Sequence, residues 1–435
     1  MKSASRLALS ILATCAFLLT GASSAAAAPP IEVAPGVYLR AASELTPGGG
    51  APADPVSARA VGKAAPRIVG GHETTVGRWP WQVAIDYVRP DPFPPIFTCG
   101  GSLVAPNVVV TAAHCVTLGS ANFRPPSEFA AITGRTRLSS DRGKVHSLTD
   151  YYLFVDADGK PLWSPKTVAW DAVFMVLDTP SSRKPIKIAG PTEGALWLPG
   201  QRAFITGWGT TKAGTDAEVA NEKTVDVLRQ GRVRTISDAA CNDVYGPVVI
   251  PSLMVCAGLG AGGVDACSGD SGGPLVVPTD GRGYRLIGDT SFAAGCGLPG
   301  IPGVFGRLAG DPMRSALGNG IRAITGANVI GAGATPPNRF AVRGRKRDRS
   351  NGSVVLTLNV PGRGKVLLHR SKRSREATAW PRRAGGTSVR VRPRGPVERR
   401  LDRGRRVRLR VRITYSPLGG EPRTETVGVA LRGRD

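Results

Sequence analysis

Short apolar or alternating runs recur through the middle of the chain, at 81–87, 102–104, 108–112, 172–177, 203–207, 225–233, 274–277 and 286–291, with Gly, Pro and Asn turn residues between them. Many short runs punctuated by turns predict an all-β barrel or sandwich. One stretch, 311–324, has helical spacing: Met313, Leu317 and Ile321 share a face, and Asp311 is placed to cap the N-terminus. Beyond it the pattern returns to period two. In 407–415 the apolar side chains of Val407, Leu409, Val411, Ile413 and Tyr415 fall on one face, and Arg408, Arg410 and Arg412 on the other. With further runs at 354–360, 365–369 and 388–392, this predicts a small β-sandwich with one cationic face.

The intervening stretches set the boundaries. Lys2 and Arg6 precede an apolar run at 7–19 and small residues ending Ala26-Ala27-Ala28, the order of a secretory signal peptide, 1–28. The run is short for a membrane span, and no other apolar stretch approaches it, so export without a transmembrane segment is expected. Residues 29–67 are rich in Ala, Pro and Gly, with Pro47-Gly48-Gly49-Gly50 near the centre, and read as a flexible pro-segment with little to bury. A Gly-, Ala- and Pro-rich linker at 328–337 separates a domain at 68–327 from another at 338–435.

Charge separates the same two regions. The net charge is +25, and residues 336–435 hold 28 Lys and Arg against 7 Asp and Glu, or +21 of it. So basic a segment is expected to hold the protein on an anionic surface or polymer. A charged, soluble structural appendage and a segment removed on maturation are the other readings. No RNA-binding signature or aromatic platform is visible.

Cysteine usage agrees with export. Of seven cysteines, Cys15 leaves with the leader, and Cys99, Cys115, Cys241, Cys256, Cys267 and Cys296 form an even set whose spacing alone permits fifteen pairings. No CxxC pair suggests zinc. Asp156-Ala157-Asp158-Gly159 starts like a calcium loop but lacks the later ligands and the closing Glu, so a polar turn is expected and no metal or cofactor.

Three segments carry candidate chemistry. Gly269-Asp270-Ser271-Gly272-Gly273-Pro274 offers a hydroxyl in a Gly-rich bend where the N–H groups of Gly269 and Ser271 can converge on one oxygen. Thr111-Ala112-Ala113-His114-Cys115 offers a base at the end of an apolar strand, and Asp171 a carboxylate immediately before the run 172–177. Asp150, Asp156, Asp158 and Asp178 lack that placement. In this order, His114, Asp171 and Ser271 resemble the catalytic triad of the chymotrypsin/trypsin family of serine proteases. Ile68-Val69-Gly70-Gly71, Gly207-Trp208-Gly209 and Pro302-Gly303-Val304-Phe305 extend the resemblance over roughly 68–309.

The resemblance implies two six-stranded antiparallel β-barrels with a C-terminal helix, and an endopeptidase working through an acyl-enzyme on protein or peptide substrates, as a monomer. It implies the disulfides Cys99–Cys115, Cys241–Cys256 and Cys267–Cys296. Asp265 becomes the carboxylate at the base of the specificity pocket. Ala266, Ser291, Phe292, Ala293 and Gly303 become its walls, with Ala293 adding a methyl at the mouth. Since Ala266 lacks the hydroxyl that would favour Lys, cleavage after Arg over Lys is expected. Arg67 precedes Ile68, so a cut there would free an amine to pair with Asp270 and switch the enzyme on, a cut the enzyme could make itself. The 57 positions between His114 and Asp171 are more than is usual in the family and place an insertion around 141–163. Arg343–Arg349, beside the linker, is an expected site of autolysis. The competing reading is an inactive trypsin-like scaffold that only binds.

Overall fold

The computed structural model describes residues 30–45, 68–332 and 337–433, except 119, 121, 220, 280–282, 349–351, 363, 382 and 418–421. The expected leader 1–28, residues 47–50, Arg67, residues 333–336 of the expected linker and Arg349 lie outside the described residues.

A hairpin, β1 (Ile31–Ala34) and β2 (Val37–Ala41), comes first. The short β3 (His72–Glu73) pairs with the second barrel. The first barrel consists of β4 (Gln82–Tyr87), β5 (Ile96–Ala105), β6 (Val108–Thr111), β7 (Phe129–Thr133), β8 (Lys144–Val155) and β9 (Val173–Leu177). These six strands run in the order β8-β7-β4-β5-β6-β9, and β8 pairs with β9 to close the cylinder. A short β10 (Lys187–Ile188) lies parallel to β15 of the second barrel. That barrel comprises β11 (Arg202–Gly207), β12 (Arg229–Thr235), β13 (Met254–Gly258), β14 (Pro274–Pro278), β15 (Tyr284–Phe292) and β16 (Gly303–Gly306), closed by pairing of β15 with β16. In β6 and β9 nearly every residue is buried, which is why their runs are continuously apolar rather than alternating. Two short helices, α1 (Asp216–Val219) and α2 (Asp238–Tyr245), lie on the connections of the second barrel.

The helix-period stretch forms α3 (Met313–Thr325), whose Met313, Leu317 and Ile321 enter the core. It ends at Gly326, whose φ of +72° suits a left-handed cap and whose N–H reaches the Arg322 carbonyl at 2.9 Å. Asp311 is not the N-cap. Pro312 holds that place, and the Asp311 carboxylate accepts from the Ser315 hydroxyl at 2.5 Å and pairs with Arg314 instead.

The pro-segment departs from expectation. Residues 30–45 are folded onto the first barrel: β2 adds antiparallel to the far end of β8, with Tyr38 opposite Val155 and Ala41 opposite Tyr152. Pro35-Gly36 makes the turn, with Gly36 at φ +69° and its N–H on the Glu32 carboxylate at 3.0 Å. Val33, Ala34, Val37, Leu39 and Ala42 are buried in the main core, and each large apolar side chain so buried contributes about 1.5–3 kcal/mol. The lengthened His114–Asp171 interval contains the twelve residues of β8 and, after it, a turn at 156–160. In that turn the Asp156 carboxylate accepts the N–H groups of Asp158 and Lys160.

After α3 comes a sandwich with its own core. One sheet holds β17 (Ala341–Asp348), β18 (Ser353–Val360) and β21 (Gly385–Val391); the other holds β19 (Gly364–Leu368), β20 (Ala377–Ala379), β22 (Val407–Pro417) and β23 (Arg423–Leu431). One helix, α4 (Pro396–Asp402), connects β21 and β22. Along β22 Leu409, Val411, Ile413 and Tyr415 are buried and Arg408, Arg410 and Arg412 exposed. Their neighbours on β23 are Ala430, Gly428 and Thr426, so no carboxylate stands opposite the three cations on that strand. The expectation of autolysis at 343–349 meets an obstacle: Arg345 and Arg347 lie in β17 with their backbone paired to β18, and a paired strand cannot adopt the extended, free backbone a protease needs. The sandwich touches the second barrel where Trp380 covers Gly200 and the Lys365 ammonium donates to the Pro199 carbonyl at 3.4 Å.

Candidate active site

His114 and Asp171 arrive from adjacent strands of the first barrel. β6 runs buried to Thr111, and a single 3₁₀ turn, Ala113–Val116, then presents His114. Cys115 in that turn is bonded to Cys99 of β5, fixing the turn to the barrel wall. Asp171 stands two residues before β9, which pairs with β6. The backbone entering it is strained, with Val168 at φ +45° and Trp170 at φ +55°, and the Trp170 ring is held by Phe154 of β8 at 5.4 Å.

Asp171 is completely enclosed by donors. Its Oδ2 lies 2.9 Å from His114 Nδ1 and accepts the Ser291 hydroxyl at 2.5 Å, while Oδ1 accepts the His114 backbone N–H at 3.0 Å. Burial pushes the carboxyl up, but the facing imidazole and these hydrogen bonds outweigh it and hold the group below the ordinary carboxylate range. For His114 burial acts downward, and the Asp171 charge and hydrogen bond reverse it, raising the imidazole above its usual value. The imidazole is 27% exposed and its carboxylate partner 2%, so one ring edge faces the cleft and the other a dry anion.

Ser271 comes from the second barrel, on the bend before β14. Gly272 has φ +70°, and a Cβ there would collide with the Gly100 carbonyl at 2.7 Å and the Ala112 nitrogen at 2.9 Å. Only Gly lets the bend approach β5 and the end of β6 so closely. The Ser271 carbonyl accepts the Gly100 N–H at 2.8 Å, a further tie between the barrels. Among the described residues no protein acceptor takes the N–H of Gly269 or of Ser271, which leaves both donors open to an oxyanion.

Beside Ser271 opens a cavity of about 170 Å³, lined in part by Ala266, Ser291, Phe292, Ala293 and Gly303. The Cys267–Cys296 disulfide joins two of its walls, and Cys241–Cys256 fastens α2 to β13. Asp265 lies behind it. Its Oδ1 is 2.9 Å from where a Cβ on Gly303 would sit, and its oxygens accept the N–H groups of Ala266 and Gly297. Burial pushes this carboxyl to about 7, against the pull of the two N–H donors. Ile68 is fully buried and the Val69 carbonyl accepts the Asp265 N–H at 3.3 Å, so the start of the domain already lies inside the protein. Nearby, Asp270 accepts N–H groups from Gly209 at 2.7 Å and Cys267 at 3.0 Å, and burial pushes it to about 7. Among the described residues no cation pairs with it.

Two acidic groups escaped the sequence reading. Asp216 lines the pocket mouth and accepts the Gly295 N–H at 3.0 Å. Asp289, two residues before Ser291, is 0% exposed, and among the described residues no other residue hydrogen-bonds either carboxyl oxygen. Burial, then the Asp171 charge, drives it well above the carboxylate range. An isolated Asp in an apolar strand was the available signal. Cys99, His114 and Cys115 also lie close together, but the two sulfurs are bonded to each other and offer no thiolate to a metal.

Two closed barrels with a histidine–carboxylate pair on one and a serine bend on the other define a two-barrel serine endopeptidase. Comparison with known proteins agrees. The trypsin family profile matches residues 68–310. A trypsin of Saccharopolyspora erythraea is 39% identical over 241 residues, covering 55% of this chain and 93% of that protein. Transmembrane protease serine 9 of Rattus norvegicus is 36% identical over 247 residues, and transmembrane protease serine 5 of Homo sapiens 35% over 257. Each match covers 56% of this chain, but only 21% and 50% of those longer proteins. The chain belongs to the trypsin family, as a trypsin-like serine endopeptidase.

Proposed function

We propose that this endopeptidase cuts after Arg, and less efficiently after Lys, with Ser271 as nucleophile, His114 as base and Asp171 as the group that orients it. Ser271 Oγ attacks the scissile carbonyl while His114 Nε2 takes its proton; the Gly269 and Ser271 N–H groups receive the oxyanion. The proton then passes to the leaving amine, and water repeats the sequence on the acyl-enzyme. The observation that carries this reading is the dry Asp171, held by His114 and Ser291, beside a cavity with the buried Asp265 carboxylate behind its Gly303 wall. A cationic side chain would satisfy Asp265 and favour its ionised form.

Activation follows from a cut between Arg67 and Ile68. The new Ile68 amine would ionise beside Asp270, a buried carboxyl that otherwise sits near 7. The chain is exported, in keeping with its leader-like start and paired cysteines; no helix among the described residues is long and apolar enough to cross a membrane. The Arg ladder of β22 supports a secondary role for the sandwich in holding the enzyme on an anionic polymer. A fluorophosphonate probe tests the catalytic reading: it should label Ser271 only after cleavage at Arg67. Labelling of the uncut chain would refute the activation step, and no labelling of the cut chain would favour a non-catalytic scaffold. Paired Arg and Lys peptides cut equally well would refute the preference.

A further inference from the structure

The hairpin of residues 30–45 is joined to the peptidase region by much more than the chain that follows it. Its second strand takes the open edge of β8, with Leu39 opposite Phe154 and Arg40 opposite Leu153. Its apolar side chains fill a groove between that edge and α3. Gly320 of α3 has no side chain where Leu39 arrives; a Cβ there would stand 3.3 Å from the Leu39 methyl and 3.4 Å from Phe174. Two polar locks flank the groove. Asn319 of α3 donates to the Val33 carbonyl at 2.8 Å. Asp150 of β8 accepts the Ser43 N–H at 3.3 Å and also the Ser43 hydroxyl.

No covalent bond backs these contacts. Residues 29–67 contain no cysteine, and the six cysteines beyond them are paired with one another. Without the hairpin, the end of β8 would become an unpaired strand edge over exposed apolar side chains, a combination that folded proteins keep covered.

We infer that the hairpin survives activation as a separate, non-covalently bound chain, so that the active enzyme has two polypeptides: the cleaved N-terminal segment and the chain that begins at Ile68. The inference rests on the proposed cut before Ile68. The groove between β8 and α3 is its binding site, and strand addition with interdigitated apolar side chains is its mode.

The test forces the cut. In the full chain, residues 63–67 are replaced by the recognition sequence of an added protease that cleaves directly before Ile68. N-terminal sequencing verifies the new Ile68 end, and gel filtration with native mass spectrometry then follows the fragment. The expected result is one-to-one co-elution of the fragment with the larger chain, separated only on denaturation. Leu39→Ala, compared in the same cut protein, should raise the fragment's dissociation constant about 30-fold or more, as expected for truncating a buried Leu. A cut protein that keeps its shape by circular dichroism yet elutes without the fragment would overturn the inference. So would retention that Leu39→Ala leaves unchanged. The readout is mass, so loss of peptidase activity would count against the catalytic proposal only, and a natural chain uncut at Arg67 would count against the activation step only.

Discussion

The peptidase region and the basic sandwich use charge in opposite ways. The sandwich carries most of the net charge, yet its Arg side chains on β22 stand exposed beside small neighbours, where water solvates each one independently. The barrels are nearly neutral as a whole but bury Asp171, Asp265, Asp270 and Asp289. A buried carboxyl must be paired, protonated or waiting for a partner. These four cover the options: Asp171 is paired, Asp289 has only protonation, and Asp265 and Asp270 sit near 7 with room for a cation to tip them. Where charge is buried, each position should be decisive; where it is exposed, positions should be interchangeable.

Single substitutions in the two regions should therefore differ by orders of magnitude. Ser271→Ala should lower kcat about 10⁶-fold on an Arg peptide, and His114→Ala by a similar factor. Asp265→Ser should reduce kcat/KM for the same peptide by on the order of 10⁴-fold, while the fluorophosphonate probe still labels the cut enzyme. Retained Arg selectivity in that variant would dissolve the distinction at its centre.

Acidity provides an intermediate effect. On the proposed reading, Asp265 near 7 must give up a proton to a cationic substrate below that value, so KM for Arg peptides should fall as pH rises through about 7. Burial also raises Asp289, so the folded state holds a proton there that the unfolded chain releases above its ordinary carboxylate pKa. Its stabilising contribution is present in acid and lost as pH rises. Asp289→Val should stabilise the protein at neutral pH by about 1–3 kcal/mol in denaturant titration and flatten the pH dependence. The smallest effect belongs to the sandwich: each Arg→Gln change at 408, 410 and 412 should move stability by less than about 0.5 kcal/mol. Together they should weaken and desalt-sensitise binding to an anionic polymer, read as a shallower salt dependence.

Motifs whose chemistry is local could be read directly. The serine bend, the histidine turn and the strict alternation of 407–415 each announce themselves within a few residues. The hairpin did not, because Ala, Pro and Gly dominate the surrounding segment and mask a Pro-Gly turn between Ile31-Glu32-Val33-Ala34 and Val37-Tyr38-Leu39-Arg40. What those residues could bury was also invisible: their partners on β8 and α3 lie far along the chain. Asp311 shows how fine the limits are, since a one-residue shift at a Pro turned an expected cap into a side-chain pair.

The contact between Asn319 and Val33 joins residues 286 positions apart. A chain that emerges from its N-terminus must therefore wait for nearly the whole peptidase region before the hairpin's seat is complete, although its partner strand β8 is made much earlier. The pairing with β8 is available as soon as residues 152–155 exist, and closing the groove over the hairpin falls to α3, the last helix of the peptidase region.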